Sequence, residues 1–389
     1  MKILFLPLFQ MPTGHHSVAN AVIRSLENRL PEFEYEIVDF FSYADKLLEK
    51  AFRLAYLTWI DHSPQTYVWL YKNFMYPSKS NLHHNLCEYK FLAKMKNLLD
   101  TQAPDLVVCT QALPSFLINR LKEYGESTPP VINIYTDFFI NKLWGITGID
   151  YHFVPDQMIK EELSGKYDLS PAKIFVTGIP VEECFNPHKI QKSTPPYHII
   201  ISGGNAGLGD IEHLIQNIDN DEEYLFAVLC GNNQKLYQEI LALEQENIKP
   251  LRYISCRETM LNLYQNSDAI ITKPGGVTLS EALRMRLPIF VHSALPGQEQ
   301  VNFEYLAKLG LLDQIDQNKS IIDQLDLFFQ DQKRQLLWRT KVEEYLRPIE
   351  FTAWQKIIDL LEDSFAENSL LRENTFSSGA VLSRKANDE

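Results

Sequence analysis

This sequence is short of cysteine and of positive charge. Its 389 residues include five cysteines, none of them in a CxxC pair. Zinc sites and disulfide frameworks need closely spaced or numerous cysteines, so we expect neither, and a reducing cytoplasm fits this composition. The formal net charge of −13 argues against general nucleic-acid binding, because phosphate recognition needs a positive surface.

Long apolar segments are also scarce. The apolar stretch that follows Met1 and Lys2 ends at Leu8, which is too short for the apolar region of a signal peptide. The charge-free run Ser193–Gly209 contains two Pro and four Gly, a composition unsuited to a membrane-spanning helix. We therefore expect a chain that does not cross a bilayer.

What the sequence does contain is an alternation of short strands and helices. The helices show periodic apolar positions such as Val18, Val22 and Leu26. The predicted strands are Lys2–Leu8, Glu36–Asp39, Asp105–Thr110, Val131–Tyr135, Tyr151–Val154 and Ile174–Thr177, then His198–Ser202, Leu225–Leu229, Leu251–Ile254, Ala269–Thr272 and Ile289–His292. This order predicts an α/β protein with two Rossmann-like domains, whose parallel sheets face a cleft.

A break in the alternation at Lys192–Pro196 indicates a linker between the two domains. We predict a first domain over 1–192 and a second over 193–345, a helix over 346–366 that crosses back to the first domain, and a disordered polar tail over 367–389.

The most informative segment is Ala269–Ala282, an apolar strand that stops at Gly275 and Gly276 and restarts as a helix with Glu281. A helix N-terminus exposes unpaired N–H groups and favours negative charge, so it suits a nucleotide diphosphate. The glycine-rich loop Gly203–Gly209 repeats this arrangement. Thr278 and Glu281 also fit a capping box, which is the structural alternative to a ribose contact by Glu281.

Candidate catalytic groups follow two strands of the first domain. His15 opens a helix, where the positive helix end disfavours its charged form and keeps it available as a general base. Its structural alternative is a place in a helix-capping turn. Asp137 follows the fourth strand and is suited to deprotonate a hydroxyl or to orient His15; its alternative role is to cap a following helix.

The segment Lys46–Lys96 differs from the rest in charge. It has eight Lys and Arg against three Asp and Glu, and ten aromatic residues, a mixture typical of contact with anionic membrane surfaces. A buried helical hairpin with a solvated basic face is the alternative. Asp219 and Asp221 match a metal-binding DxD motif, but they lie at the wrong edge of the predicted sheet, so we expect a solvated turn and no metal site.

Several ordered motifs together resemble the diacylglycerol glycosyltransferases of the monogalactosyldiacylglycerol synthase type, and most closely the bacterial processive diacylglycerol β-glucosyltransferases. The resemblance covers about residues 1–365. It rests on Gly14-His15, Thr136-Asp-Phe138 with Lys142-Leu-Trp144, Thr177–Val181, Leu229–Asn233, Thr272–Ala282, and Pro296–Glu299 with Asn302. Asn141 stands where these enzymes usually carry His before the Trp.

This resemblance implies a GT-B fold, with a UDP-sugar donor in the second domain and a lipid acceptor in the first. It implies His15 as the base near the acceptor hydroxyl, Glu281 on the ribose, and Gln298 with Glu299 on the sugar hydroxyls. From the residues themselves we add Asp137 as a second catalytic residue and expect no cofactor or metal. With the two glycine-rich loops, the predicted donor-binding residues are Gly203, Gly204, Asn205, Gly207, Gly275, Gly276, Val277, Thr278, Glu281, Gln298 and Glu299. The expected acceptor and membrane contacts are Trp59, Trp69, Lys72, Lys79 and Trp144.

We thus expect a metal-independent, inverting transfer of a hexose, glucose by analogy, from UDP-hexose to diacylglycerol or glycosyl-diacylglycerol. The expected location is peripheral, on the cytoplasmic face of the membrane. Two alternatives stay open, a UDP-N-acetylglucosamine 2-epimerase of the same fold and a non-catalytic UDP-sugar sensor at the membrane.

Overall fold

A computed structural model of the protein describes residues 1–7, 14–44, 82–185, 194–203, 211–349 and 351–363, without the side chains of 82–87. The described residues build two six-stranded parallel sheets.

The first sheet has the strand order β2-β1-β3-β4-β5-β6. Its strands are β1 Lys2–Leu6, β2 Glu34–Ile37, β3 Leu106–Cys109, β4 Val131–Ile134, β5 Tyr151–Val154 and β6 Ile174–Val176. The helices of this half are α1 Gly14–Glu27, α2 Phe40–Ala44, α3 Leu82–Gln102, α4 Ala112–Glu123 and α5 Gln157–Tyr167.

The second sheet has the order β12-β11-β10-β7-β8-β9. Its strands are β7 Tyr197–Ser202, β8 Tyr224–Leu229, β9 Ile248–Leu251, β10 Ala269–Thr272, β11 Ile289–Val291 and β12 Leu312–Gln314. The helices are α6 Ile211–Gln216, α7 Gln234–Ala242, α8 Arg257–Gln265, α9 Gly276–Met285, α10 Gln298–Leu309, α11 Ile321–Phe329 and α12 Gln332–Leu346, and a further helix, α13, covers 353–363.

The central strands are apolar throughout because both faces of each sheet are covered. Ile3 and Phe5 point into one core and Leu4 and Leu6 into another, and all four are fully buried. Successive side chains of a strand point to opposite faces, so a continuous apolar strand supplies both layers. The core that holds Ile3 and Phe5 continues into the second half of the chain.

The strand order places two loop clusters opposite each other. In the first sheet the order reverses between β1 and β3, and in the second between β10 and β7. Open parallel sheets bind ligands beyond the carboxyl ends of the strands at such a reversal. His15 follows β1, Gly203 follows β7 and Gly275 follows β10, so the predicted loops lie at these positions.

Three edge strands differ most from the prediction. β2 begins and ends two residues before the predicted Glu36–Asp39. β9 lies three residues before the predicted Leu251–Ile254 and contains Pro250; it is the last strand of its sheet and pairs with β8. An edge strand tolerates proline because one of its sides needs no ladder hydrogen bonds. β12, at the other edge, is absent from the prediction, because three residues that include Asp313 give no apolar signal.

The two halves and α13 pack together. Arg29, just after α1, lies over the Trp354 ring at 3.6 Å, and Lys356 lies over Phe175 at 4.7 Å. The hydroxyl of Tyr305 on α10 donates to Asp156 Oδ2 over 2.8 Å. No helix in the described ranges is both long enough and apolar enough to span a membrane.

Candidate active site

His15 lies in the first turn of α1, where the two halves meet. Its Nδ1 is 3.0 Å from the Thr136 hydroxyl oxygen, and the ring also hydrogen-bonds the backbone of Thr110. The preceding residue, Gly14, packs against α9, since a Cβ there would lie 3.2 Å from Val277 Cγ2. Burial lowers the pKa of His15, while the negative charge of Asp137 and the hydrogen bond to Thr110 oppose this effect. The imidazole is therefore neutral at pH 7, as a general base requires.

Asp137 follows β4 and is partly buried beside His15. Its Oδ1 accepts a hydrogen bond of 2.9 Å from Asn302 Nδ2. Burial raises the pKa of Asp137, whereas this hydrogen bond and the charge of His15 lower it. The residues after Asp137 form bends and turns with no helix before β5, so the helix-capping alternative is wrong. The structure brings Asp137 and His15 into electrostatic contact, but the hydrogen bonds of His15 go to Thr136 and Thr110.

Asn302 of α10 completes this group, although the sequence analysis assigns it no individual role. It is 1% exposed, and its amide also bonds the Phe138 N–H at 2.9 Å and the Pro274 carbonyl at 3.1 Å. One signal was available: Asn302 lies four residues after Gln298 on the same helix, and such residues share a face. Thr136, quoted within a motif, likewise had no assigned role.

The Gly275-Gly276 turn begins α9 as predicted. Gly275 is the N-cap residue and supplies no side-chain cap, so the first N–H groups of α9 receive no hydrogen bond from a capping side chain. A Cβ on Gly276 would lie 2.1 Å from the Thr136 carbonyl oxygen, whereas one on Gly275 would meet nothing within 4 Å. Gly276 thus permits contact between the two halves, and Gly275 borders open space.

The structure excludes the capping-box alternative for Glu281. The cap is Gly275, so Thr278 already lies inside the helix and cannot pair with Glu281 in that motif. Glu281 instead accepts a hydrogen bond of 3.1 Å from the Tyr264 hydroxyl. Burial raises the pKa of Glu281 to about 7, the Tyr264 hydrogen bond opposes the rise, and the charge of Glu182 adds to it.

A second strand-to-helix junction, from β11 to α10, carries Gln298 and Glu299. Gln298 is exposed, while Glu299 Oε2 accepts a hydrogen bond of 2.8 Å from the backbone of Leu295. Lys273, which ends the β10 segment, is 8% exposed, and burial lowers its pKa while Glu299 raises it. The ammonium of Lys273 has no hydrogen-bond or ion-pair partner among the residues that the structure describes. The sequence analysis assigned Lys273 no role of its own.

Other predicted residues fall in different places. Gly203 is buried at the end of β7. Trp144 is 7% exposed and packs edge-on against Tyr135, with ring centroids 4.7 Å apart. Trp144 thus lies in the core of the first half, and its contact with acceptor or membrane stays a prediction. Predicted residues outside the described ranges are Gly204, Asn205, Gly207, Trp59, Trp69, Lys72 and Lys79.

The DxD-like segment lies in the loop between α6 and β8. Asp219 is exposed there, and Asp221 accepts a hydrogen bond from the Glu223 backbone. Within the described part of the chain, no group of three or more His, Cys, Asp or Glu side chains is placed to hold a metal ion.

Comparisons with known families match the two halves separately. Residues 15–181 match the family model described as monogalactosyldiacylglycerol (MGDG) synthase. Residues 188–344 match the model described as glycosyl transferases group 1. The two matches meet near the predicted linker.

Individual relatives carry related descriptions. An uncharacterised glycosyltransferase of Bacillus subtilis (strain 168), YkoN, is 38% identical over 352 residues, which cover 89% of this chain and 93% of the relative. A processive diacylglycerol beta-glucosyltransferase of Bacillus cereus (strain G9842) is 29% identical over 264 residues, 66% of this chain and 67% of the relative.

Solved structures support the fold. MurG of Acinetobacter baumannii aligns with a TM-score of 0.57 at 15% identity, over 93% of this chain and all of that one. At this identity the likeness shows the fold alone, and the predicted GT-B architecture is confirmed.

Proposed function

Because this chain belongs to the glycosyltransferases of the monogalactosyldiacylglycerol synthase family, we propose that it transfers a hexose from UDP-hexose to a lipid hydroxyl. The acceptor we propose is diacylglycerol or a glycosyl-diacylglycerol. Glucose is the preferred sugar by analogy with the Bacillus cereus relative, whose printed name specifies glucosyl transfer.

The observation that carries this proposal is the meeting of two kinds of group in one cleft. His15 and Asp137 come from the first half, and the open N-terminus of α9 comes from the second. A neutral imidazole next to a carboxylate is suited to accept a proton, and a free helix N-terminus is suited to bind phosphate. A glycosyl transfer needs a base on the acceptor side of the anomeric carbon and a phosphate-binding group on the donor side.

In the proposed reaction His15 removes the proton of the acceptor hydroxyl. The acceptor oxygen then forms a bond to the anomeric carbon as the bond from that carbon to the UDP phosphate oxygen breaks, and UDP leaves with the electron pair. One displacement of this kind inverts the anomeric configuration. The charge of Asp137 stabilises the imidazolium that forms, consistent with its opposing effect on the pKa of His15.

Fixed charges in the second half would stabilise the leaving UDP. The N-terminus of α9 offers backbone N–H groups beside the open space at Gly275. Lys273 adds a buried ammonium with no ion-pair partner among the described residues, and a diphosphate would supply that partner. Preorganised donors of this kind stabilise developing negative charge without a metal. Glu281 would bind the ribose hydroxyl pair through its carboxylate.

The acceptor side is proposed from the family and from composition. The basic and aromatic segment Lys46–Lys96 would hold the enzyme at the cytoplasmic face of an anionic membrane, where the lipid acceptor resides. Most of this segment, 45–81, lies outside the described residues. Asn141 accepts a hydrogen bond of 2.9 Å from the Leu143 backbone and would shape the loop on this side.

One assay tests the proposal against the epimerase and the sensor, because both transferases and 2-epimerases share this fold. Purified protein is incubated with radiolabelled UDP-glucose, UDP-galactose and UDP-N-acetylglucosamine, each with diacylglycerol in detergent micelles. Label in the lipid phase supports transfer. Conversion of UDP-N-acetylglucosamine to its 2-epimer, or tight UDP-sugar binding with no turnover, would replace the proposal with the corresponding alternative.

A further inference from the structure

Asn302 is a single buried side chain that connects the two halves. Its amide oxygen accepts from the Phe138 N–H at 2.9 Å, and its amide nitrogen donates to Asp137 Oδ1 at 2.9 Å and to the Pro274 carbonyl at 3.1 Å. Asp137 and Phe138 follow β4 of the first sheet, whereas Pro274 follows β10 of the second. The amide oxygen and nitrogen of Asn302 thus both bond residues of the first half, and the nitrogen also bonds Pro274 of its own half.

This geometry requires the two halves to be in contact. Asn302 is 1% exposed, and a separation of the halves would leave its amide and the Phe138 N–H to find other partners. Nearby, Gly276 lies so close to the Thr136 carbonyl oxygen that a Cβ would be 2.1 Å from it. Near Asn302 the two halves are therefore joined by close backbone packing at Gly276 as well as by hydrogen bonds.

The same helix leads to the donor side. Gln298 is the first residue of α10 and lies one turn before Asn302, about 6 Å along the helix axis. A ligand that moves the first turn of α10 therefore moves Asn302 with it, because a helix turn is a rigid unit on this scale.

We infer that Asn302 is a positioning residue that makes the orientation of Asp137 depend on closure of the donor half over the acceptor half. The catalytic meaning of this inference rests on the proposed function, since it assumes that Asp137 assists sugar transfer. The mechanical link itself rests on the hydrogen bonds alone.

A consequence for pH follows from the charges around Asp137. Burial raises its pKa, and the two groups that lower it are Asn302 from α10 and His15 from α1. Removal of the Asn302 donor would leave burial less opposed, so the pKa of Asp137 would rise. Activity that needs the carboxylate would then have its acid limb at higher pH, because a hydrogen bond that favours the charged form of Asp137 has been lost.

Two variants distinguish a positioning role of Asn302 from a role in packing alone. Asn302→Ala removes all three hydrogen bonds, while Asn302→Asp keeps the size of the side chain and an acceptor for the Phe138 N–H but loses the donor to Asp137. Both should lower kcat about 10- to 100-fold, as small misplacements of reacting groups do, and both should shift the acid limb upward. Asn247→Ala is the matched control, because Asn247 is a buried asparagine of the second half whose amide bonds the Asp219 carbonyl at 2.9 Å; its pH profile should match wild type.

A measurement that needs no turnover accompanies these. The amide hydrogen of Phe138 should exchange slowly in wild type and still more slowly with UDP bound. In Asn302→Ala it should exchange faster, with no added protection from UDP. The pair-exchanged double variant, Asn302→Asp with Asp137→Asn, should restore the protection but not the activity, because the carboxylate is then on the wrong half.

The outcomes are distinguishable. If wild type transfers sugar but neither Asn302 variant shifts the acid limb, the inference is wrong while the proposed function stands. If wild type transfers no sugar, the proposed function fails, and exchange at Phe138 still decides the link: UDP-dependent protection that is lost in Asn302→Ala supports it, and unchanged exchange refutes it.

Discussion

Replacement of Glu281 by Gln should stabilise the free protein and weaken UDP binding. Burial raises the pKa of Glu281 from 4.5 to about 7, so the folded state disfavours the carboxylate relative to the unfolded chain. The unfolded chain releases this proton first as pH rises. Stability is therefore undiminished below pH 4.5, falls between pH 4.5 and 7, and stays at the lower level above that range.

The size of the effect follows from the same pKa values. At 1.36 kcal/mol per pH unit, the wild-type carboxylate costs at most about 3 kcal/mol at pH 8 and about 1.4 kcal/mol at pH 5.5. Glu281 is only partly buried, so solvent screening reduces both figures to roughly half. A gain of about 1.5 kcal/mol at pH 8 corresponds to a rise in Tm of about 3–6 °C for a domain of this size.

In the Glu281→Gln variant, the new amide would keep an oxygen that accepts from the Tyr264 hydroxyl but would lack the negative charge. A hydrogen bond to a charged group is worth about 1.5–3 kcal/mol, so the Kd of UDP should rise about 10- to 100-fold. Scanning calorimetry at pH 5.5 and pH 8, with UDP titration at pH 8, measures both effects.

Glu343→Gln is the control of opposite sign. The pKa of Glu343 is lowered, chiefly by its hydrogen bond to Arg286, so the charged form is favoured in the folded protein and its removal should destabilise slightly at pH 8 without changing UDP affinity. A Glu281→Gln protein that is less stable at pH 8 and binds UDP normally would refute the reasoning for Glu281.

The remaining predictions concern chemistry and membrane contact. His15→Ala should slow single-turnover transfer about 10²- to 10⁴-fold with UDP affinity near wild type; if Asp137→Asn is the more damaging change and His15→Ala is mild, the base is Asp137. Transfer should persist in EDTA, and an EDTA-treated enzyme that recovers only with added magnesium or manganese would contradict a metal-independent mechanism. Replacement of Lys72, Lys79 and Lys90 by Gln should weaken cosedimentation with anionic liposomes, at about 1 kcal/mol per lysine; unchanged cosedimentation would favour the buried hairpin.

The sheet strands are predictable where apolar residues are continuous. β4, β5 and β10 lie within a residue of their predicted ends, because both of their faces are buried and the whole strand is apolar. The edge strands β2, β9 and β12 deviate by more than one residue, since a solvated edge strand admits Glu34, Pro250 or Asp313. Local composition carries little information about such strands.

Part of the candidate site is predictable from the sequence because its residues lie at or near the ends of regular elements, and part of it is not. His15 and Gly275 lie at junctions where helices begin, Glu281 lies within the helix that Gly275 caps, and parallel-sheet topology brings such junctions together. Asn302 is distinguished by a contact across the cleft and Lys273 by its burial, which no local pattern records. Local composition likewise does not record the burial of Trp144, an aromatic residue near Lys142 that the structure packs against Tyr135.

The electrostatics of the cleft favour a ligand site over a purely structural junction. Burial raises the pKa of Asp137 and of Glu281 and lowers that of Lys273, so three side chains are held in surroundings that disfavour their charged forms. Packing alone would be served better by apolar residues of similar size, because burial of incompletely compensated charge destabilises a fold. Perturbed groups of both signs gathered at one cleft are instead typical of sites whose missing partners arrive with the substrate. A UDP-sugar would bring hydroxyl donors for the carboxylates and a diphosphate for the ammonium, and it would thereby favour the charged form of each group.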